Sequence, residues 1–180
     1  MSDKPIWALS ATELVKKTKN NDLSATEITF AYLEHIKTIN PELNAIVDDM
    51  SKEAIKRAEN LDSAAKSGDS KGRLFGVPVT VKINVDQKGY ATSNGVSALK
   101  NSIASQNAPI VDHLLNAGAI FVGRTNTPEF SFRAETENPL YGRTHNPWGK
   151  HLSPGGSSGG ASSAVMSGMC ALAHGNDIGG

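Results

Sequence analysis

Through the N-terminal part of the chain, apolar residues recur at helical spacing. One string occurs twice, as Leu9-Ser10-Ala11-Thr12-Glu13 and as Leu23-Ser24-Ala25-Thr26-Glu27. Each is a capping box. The serine hydroxyl accepts a backbone N–H of the first turn, and the glutamate reaches back to the serine N–H, so each string predicts a helix start. After the second, Ile28, Ala31, Tyr32, His35, Ile36 and Ile39 share one face. Asn40-Pro41 is expected to end that helix, because proline lacks the N–H the next turn needs. Asn44-Ala45-Ile46-Val47 suits a short strand. A third helix is predicted over Ser51–Lys66, with Ala54, Ala58, Leu61 and Ala65 on one side, and a polar loop follows. The residues flanking the doubled string do not repeat, so the echo is local capping chemistry and not a solenoid period.

Beyond residue 72 the pattern shortens. Residues 74–85 are rich in β-branched side chains and read as a strand. Gly95 marks a loop. Residues 109–117 predict a short helix, with Pro109 in its first turn and Gly118 past its end. Residues 119–122 read as a buried strand. This order of strand, loop, helix and strand argues for an α/β fold, a mixed β-sheet covered by helices. Residues 125–154 show little periodicity, and so long a loop in a compact domain is usually functional or disordered. Residues 161–169 predict a helix of small residues that can pack closely, and residues 170–174 a further strand.

Composition narrows the partners. At 180 residues the chain is long enough for one domain with a real core. Lys+Arg and Asp+Glu both number 18, so no basic face is implied, and neither nucleic acid nor an anionic membrane is expected as a direct partner. Cys170 is the single cysteine, which excludes a disulfide within the chain; in its apolar run it reads as a small buried hydrophobe. The start, Met1-Ser2-Asp3-Lys4-Pro5, has no apolar signal region, and no apolar run reaches the ~18–20 residues of a membrane span, so the cytoplasm is the expected location. His35, His113, His145, His151 and His174 are not paired at metal spacing, and no acidic or cysteine cluster accompanies them. No metal and no cofactor is expected.

Two places carry candidate chemistry. Lys82 is a cation in an apolar strand. Either it lies at a sheet edge with its tip in water, or it is buried, in which case the lost hydration lowers its pKa and makes a general base of it. The second place is Ser153-Pro154-Gly155-Gly156-Ser157-Ser158-Gly159-Gly160, echoed by Gly175-Asn176-Asp177-Ile178-Gly179-Gly180. Glycines at that density permit positive φ and close backbone approach. Gly155-Gly156-Ser157-Ser158-Gly159 formally matches G-x-S-x-G, but a nucleophile elbow needs an apolar strand immediately before it, and Asn146-Pro147-Trp148 and the polar residues after them do not supply one. No lysine follows the glycines, which excludes a phosphate loop. A plain Gly/Ser linker is disfavoured by the helix and strand patterns that follow at once. Asp177 is placed to cap or brace the second turn.

Together these residues resemble the amidase signature family. The resemblance rests on Phe75-Gly76-Val77-Pro78-Val79-Thr80-Val81-Lys82, Gly123-Arg124-Thr125-Asn126-Thr127-Pro128-Glu129-Phe130, Asn146-Pro147-Trp148 and the two glycine-rich stretches, all in the family's order. It implies hydrolysis or transfer of small-molecule amides through a Ser–cis-Ser–Lys triad. In that scheme Lys82 is the base and Ser157, on a cis peptide, the bridging serine. Ser158 joins their network, Asp177 supports the turn, and the backbone N–H groups of Ile178, Gly179 and Gly180 form the oxyanion hole. The nucleophile is the serine that ends the D-I-G-G-S motif, which here would follow Gly180. Ile83 departs from the family, which usually has an acidic residue there.

The resemblance further implies that residues 1–180 are the N-terminal portion of a single domain, with residues 1–66 a helical segment and residues 72–180 the start of the catalytic α/β core. The 180 residues alone are expected to be inactive as an amidase. Uncovered strand edges would favour self-association. Two rival readings remain: the amidase subunit of a tRNA-dependent amidotransferase, and a non-catalytic truncated remnant.

Overall fold

The computed structural model describes residues 4–68 and 71–177. Both capping boxes form. The Oγ atoms of Ser10 and Ser24 accept from the backbone of Glu13 and Glu27 at 3.3 and 3.1 Å, and the carboxylates accept the serine N–H groups at 2.7 and 2.8 Å. They open α1 (Ala11–Lys19) and α2 (Ala25–Leu43). Asp62 caps α2 a second time, accepting from the N–H groups of Ala25 and Thr26 at 2.8 and 2.9 Å.

Helix α2 does not stop at Asn40-Pro41; it runs on to Leu43. Proline there forfeits a single hydrogen bond near the end of the helix. Asn40 compensates, because its side chain accepts from the N–H groups of Ala45 and Ile46 and donates to the Ile46 carbonyl. Asn44, in the left-handed conformation, closes the helix. Strand β1 (Ile46–Asp49) and α3 (Ser51–Lys66) follow.

The strand predicted over residues 74–85 is shorter than its β-branched composition suggests: β2 is Pro78–Lys82. Beyond it the chain turns, with the Val85 N–H donating to the Lys82 carbonyl at 3.0 Å. Helix α4 (Pro109–Asn116) and β3 (Ile120–Thr125) form as expected, β3 continuing past residue 122. The aperiodic stretch from residue 125 holds a 3-10 turn (Glu129–Ser131) and a small hairpin of β4 (Glu137–Asn138) and β5 (Gly142–Arg143). Helix α5 (Gly159–Met166) starts and ends before its expected bounds, and β6 shrinks to Leu172–Ala173.

The main sheet has the order β1-β3-β2-β6. β2 is parallel to β3 and to β6, while β1 is antiparallel to β3, so the sheet is mixed and the chain is α/β. Helices cover both faces. Ile120 and Val122 pack with residues of α2, α3 and α5; Val79, Val81 and Phe121 pack with Val111 of α4. Burial on both faces is why all five residues of β2 are buried instead of alternating. Strand periodicity puts Lys82 on the face opposite Val79 and Val81, the one that meets the start of α5.

Arg124 of β3, fully buried, ties the loop after β2 to the sheet. Its guanidinium donates to the carbonyls of Val85 and Ala91 at 2.9 and 2.7 Å and to Asp48 of β1 at 2.9 Å. No helix among the described residues is long and apolar enough to cross a membrane.

Candidate active site

The site lies where β2, β3 and β6 all end. In a parallel arrangement the loops leaving the carboxyl ends of neighbouring strands converge, which makes that edge the usual place for ligand chemistry. Here the loop after β2 brings Asn84, the loop after β3 brings Thr127 and Ser131, and the segment after β6 brings Asn176 and Asp177. The glycine-rich turn before α5 brings Ser157 and Ser158.

Lys82 occupies an inner strand, not an edge, and is 0% exposed. Its Nζ donates to Ser157 Oγ at 2.7 Å, to Asn176 Oδ1 at 2.8 Å and to Ser158 Oγ at 3.2 Å. All three acceptors are neutral. Burial therefore dominates and pulls the Lys82 pKa from 10.5 down to about 8, against the opposing attraction of the Asp177 carboxylate. Near neutral pH an appreciable fraction of this amine is uncharged.

The turn that carries the serines owes its shape to glycine. Gly155 has φ +81°, and a Cβ on Gly156 would lie 2.4 Å from the Arg133 carbonyl oxygen. The Gly156–Ser157 peptide is cis. Thr136 braces the turn from the side, its hydroxyl donating to the Gly155 carbonyl at 2.9 Å and accepting from the Gly159 N–H at 3.0 Å. Ser157 Oγ bonds only Lys82 among the described residues. Its carbonyl accepts from Thr127 Oγ1 at 3.1 Å.

Of the residues singled out from sequence, Lys82, Ser157 and Ser158 meet at hydrogen-bonding distance, and Asp177 acts on Lys82 through its charge. Ile178, Gly179 and Gly180 lie outside the described residues. The structure adds Asn176, Asn84, Thr127 and Ser131, which sequence reasoning misses. Asn176 stands within the second glycine-rich stretch and Thr127 within the Gly123–Phe130 string, so their neighbourhoods are marked; Asn84 and Ser131 are short polar side chains in aperiodic loops, with no local pattern to mark them. His174, close to Asn176 in the chain, is held below its ordinary pKa by burial and by the charge of Lys82. Cys170 is buried as expected, its thiol pushed up to about 12 by burial. No group of metal-ligating side chains occurs among the described residues.

An inner-strand lysine bonded to a serine on a glycine-rich turn, at the carboxyl edge of an α/β sheet, defines a serine–lysine type of site. The chain belongs to the Amidase family, whose model matches residues 27–180. It is 50% identical over 98% of its length to an indoleacetamide hydrolase of Bradyrhizobium diazoefficiens, of which it covers 34%. It is 38% identical over 97% of its length to a glutamyl-tRNA(Gln) amidotransferase subunit of Caldanaerobacter subterraneus, covering 36% of that protein. Among solved structures, a fatty acid amide hydrolase superposes with a TM-score of 0.93 at 32% identity, over 97% of this chain and 31% of the other. The chain thus spans about a third of the length of the relatives it matches.

Proposed function

We propose that this chain carries the base and the proton relay of a serine amidase acting on the carbon–nitrogen bond of a small-molecule amide. The observation that carries the reading is the 2.7 Å contact between a buried, pKa-lowered Lys82 amine and Ser157 Oγ. A serine hydroxyl is a weak nucleophile near neutral pH and needs a base. In the proposed sequence the attacking hydroxyl is that of the serine that ends the family's D-I-G-G-S motif, one place beyond the glycine matched by Gly180. Its proton passes to Ser157 Oγ as the Ser157 proton passes to Lys82 Nζ. The oxygen bonds to the amide carbon, and the backbone N–H groups of Ile178, Gly179 and Gly180 hold the oxyanion. The Lys82 ammonium then returns the proton, through Ser157, to the leaving nitrogen. Water repeats the cycle on the acyl-enzyme and releases the acid.

Two expectations test this. The 180-residue chain alone should release no ammonia from indole-3-acetamide; activity abolished by Lys82→Ala would overturn that. Joined past Gly180 to the remainder of the indoleacetamide hydrolase, the chain should hydrolyse that amide. There Lys82→Ala and Ser157→Ala should each lower kcat by at least about 10²–10⁴-fold with little change in KM. Equal kcat in either variant would remove that residue from the mechanism.

A second reading, the amidase subunit of a tRNA-dependent amidotransferase, is supported by the 38% identity to a protein of that kind, against 50% to the hydrolase. Co-purification with partner subunits from the native source would favour it.

A further inference from the structure

We propose that Asn176, steadied by Asn84, is a positioning residue that fixes the direction from which Lys82 takes up a proton. The proposal rests on the reading of Lys82 as the base. It follows from counting donors and acceptors around the amine.

Protonated, Lys82 Nζ has three N–H bonds and three partners, so every donor is used. Neutral, it keeps two N–H bonds and one lone pair, and the question is which partner faces the lone pair. Asn176 Oδ1 is a carboxamide oxygen with no proton to give, so it must take one N–H. Ser158 Oγ is committed elsewhere: it donates to the Asn176 carbonyl at 3.1 Å and accepts from the Asn176 N–H at 3.2 Å. It has no proton left for Lys82 and takes the second N–H. The lone pair falls to Ser157, whose hydroxyl proton is, among the described residues, the one donor still uncommitted. The O–H bond of Ser157 can break toward Lys82 Nζ, forming the ammonium, without any partner rotating.

The orientation of Asn176 is itself enforced. Asn84 Nδ2 donates to Asn176 Oδ1 at 3.2 Å and to Ser131 Oγ at 3.2 Å. Turning the Asn84 amide over would set its oxygen against the oxygen of Asn176. Asn84 keeps the present orientation even though its own Oδ1 is buried with no hydrogen-bond partner among the described residues. The chain of bonds continues with one sense. Thr127 donates to the Ser157 carbonyl, so the 3.1 Å contact between Ser131 and Thr127 has Ser131 as its donor. Asn84 thus orients Asn176 on one side and, through Ser131 and Thr127, touches the backbone of Ser157 on the other.

The test reads the amine directly. In the 180-residue chain labelled with ¹³C and ¹⁵N, the Lys82 Cε shift is followed against pH, together with the Asn176 carboxamide Cγ shift. Among the described residues Asp177 and His174 are the titratable groups whose charge couples to Lys82, and both stay in every variant. In the wild-type chain the two shifts should titrate with a common midpoint, since the carboxamide oxygen accepts its N–H from a charged amine below that midpoint and from a neutral amine above it. Asn176→Asp should raise the Lys82 midpoint by about one pH unit or more, because a carboxylate favours the ammonium. The isosteric Asn176→Leu, which offers no acceptor, should lower it. An Asn176 Cγ shift that ignores the Lys82 titration overturns the proposal from the wild-type protein alone, and so does an unmoved midpoint in Asn176→Asp. If the titrations respond while hydrolysis by the extended protein is indifferent to Lys82→Ala, the catalytic reading falls and the hydrogen-bond arrangement stands. If hydrolysis needs Lys82 while Asn176→Asp leaves its midpoint unchanged, the arrangement falls and the catalytic reading stands.

Discussion

Lys82 sits where its own charge is disfavoured, and that has a consequence for stability. Its folded pKa is about 8, whereas an unfolded lysine keeps the ordinary 10.5. Between these values the unfolded chain binds more protons than the folded one, so stability rises with pH, by at most about 1.4 kcal/mol per pH unit. Well below pH 8 both states carry the proton and the cost of burying the ammonium is fully present. Cys170 and Tyr90, both pushed up to about 12 mainly by burial, act in the opposite sense, since their unfolded counterparts ionise first. Wild type and Lys82→Met share those groups, so subtracting their urea-unfolding free energies isolates the lysine. The difference should shift in favour of wild type from pH 8 to 10; a difference flat across that range would show that the ammonium is not penalised by its site. At this scale the sequence is informative about some residues and silent about others. A lysine in a run of valines and a serine pair among glycines are unusual enough to be noticed, and the family resemblance joins them. Asn84 and Asn176 are ordinary loop residues whose roles arise only when β2 and the segment after β6 meet, partners that lie 92 and 94 positions apart in the chain.

Helices α1, α2 and α3 are legible because their signals are local. A capping box acts within one turn and needs no tertiary partner. Strand lengths are not, because β-branched residues continue past Lys82 into a turn that the Val85 N–H closes and that Arg124 clamps from a neighbouring strand. The depth of α5 in the fold is a close-approach effect, set by Gly160. A Cβ there would lie 2.5 and 2.6 Å from the backbone N and O of Asn126 and 2.9 Å from the Ala45 carbonyl oxygen. All three are main-chain atoms at the ends of elements, so none can swing aside as a flexible side chain would. Gly160→Ala is therefore expected to push α5 off the sheet and to destabilise the fold by about 1–3 kcal/mol in urea unfolding. Because Ser157 and Ser158 ride on the start of α5, the same variant should also weaken their contact with Lys82 and move its titration midpoint. A variant as stable as wild type would mean that α5 has slack the structure does not show.

For the molecule as a whole, the question is what its outer strands do. Order β1-β3-β2-β6 leaves β1 and β6 at the two edges, and among the described residues β6 is paired only with β2. A sheet edge offers unpaired N–H and C=O groups, which proteins protect with charge, proline or a covering segment. Here the neighbourhood of β6 is apolar instead: Leu172 is 40% exposed, and Val165 and Met166 of the adjoining α5 are 39% and 58% exposed. Apolar surface beside an unpaired edge favours a second copy adding its own strand, because edge hydrogen bonds and hydrophobic burial then reinforce each other. The 180-residue chain should accordingly self-associate with rising concentration in sedimentation velocity. Leu172→Lys puts a charge at that edge and should shift the chain toward monomer without changing its thermal unfolding by more than the small amount typical of a surface substitution. Association that persists unchanged in the lysine variant would place the contact on another face, and a wild-type chain that stays monomeric at every concentration would show that the edge is inert as it stands.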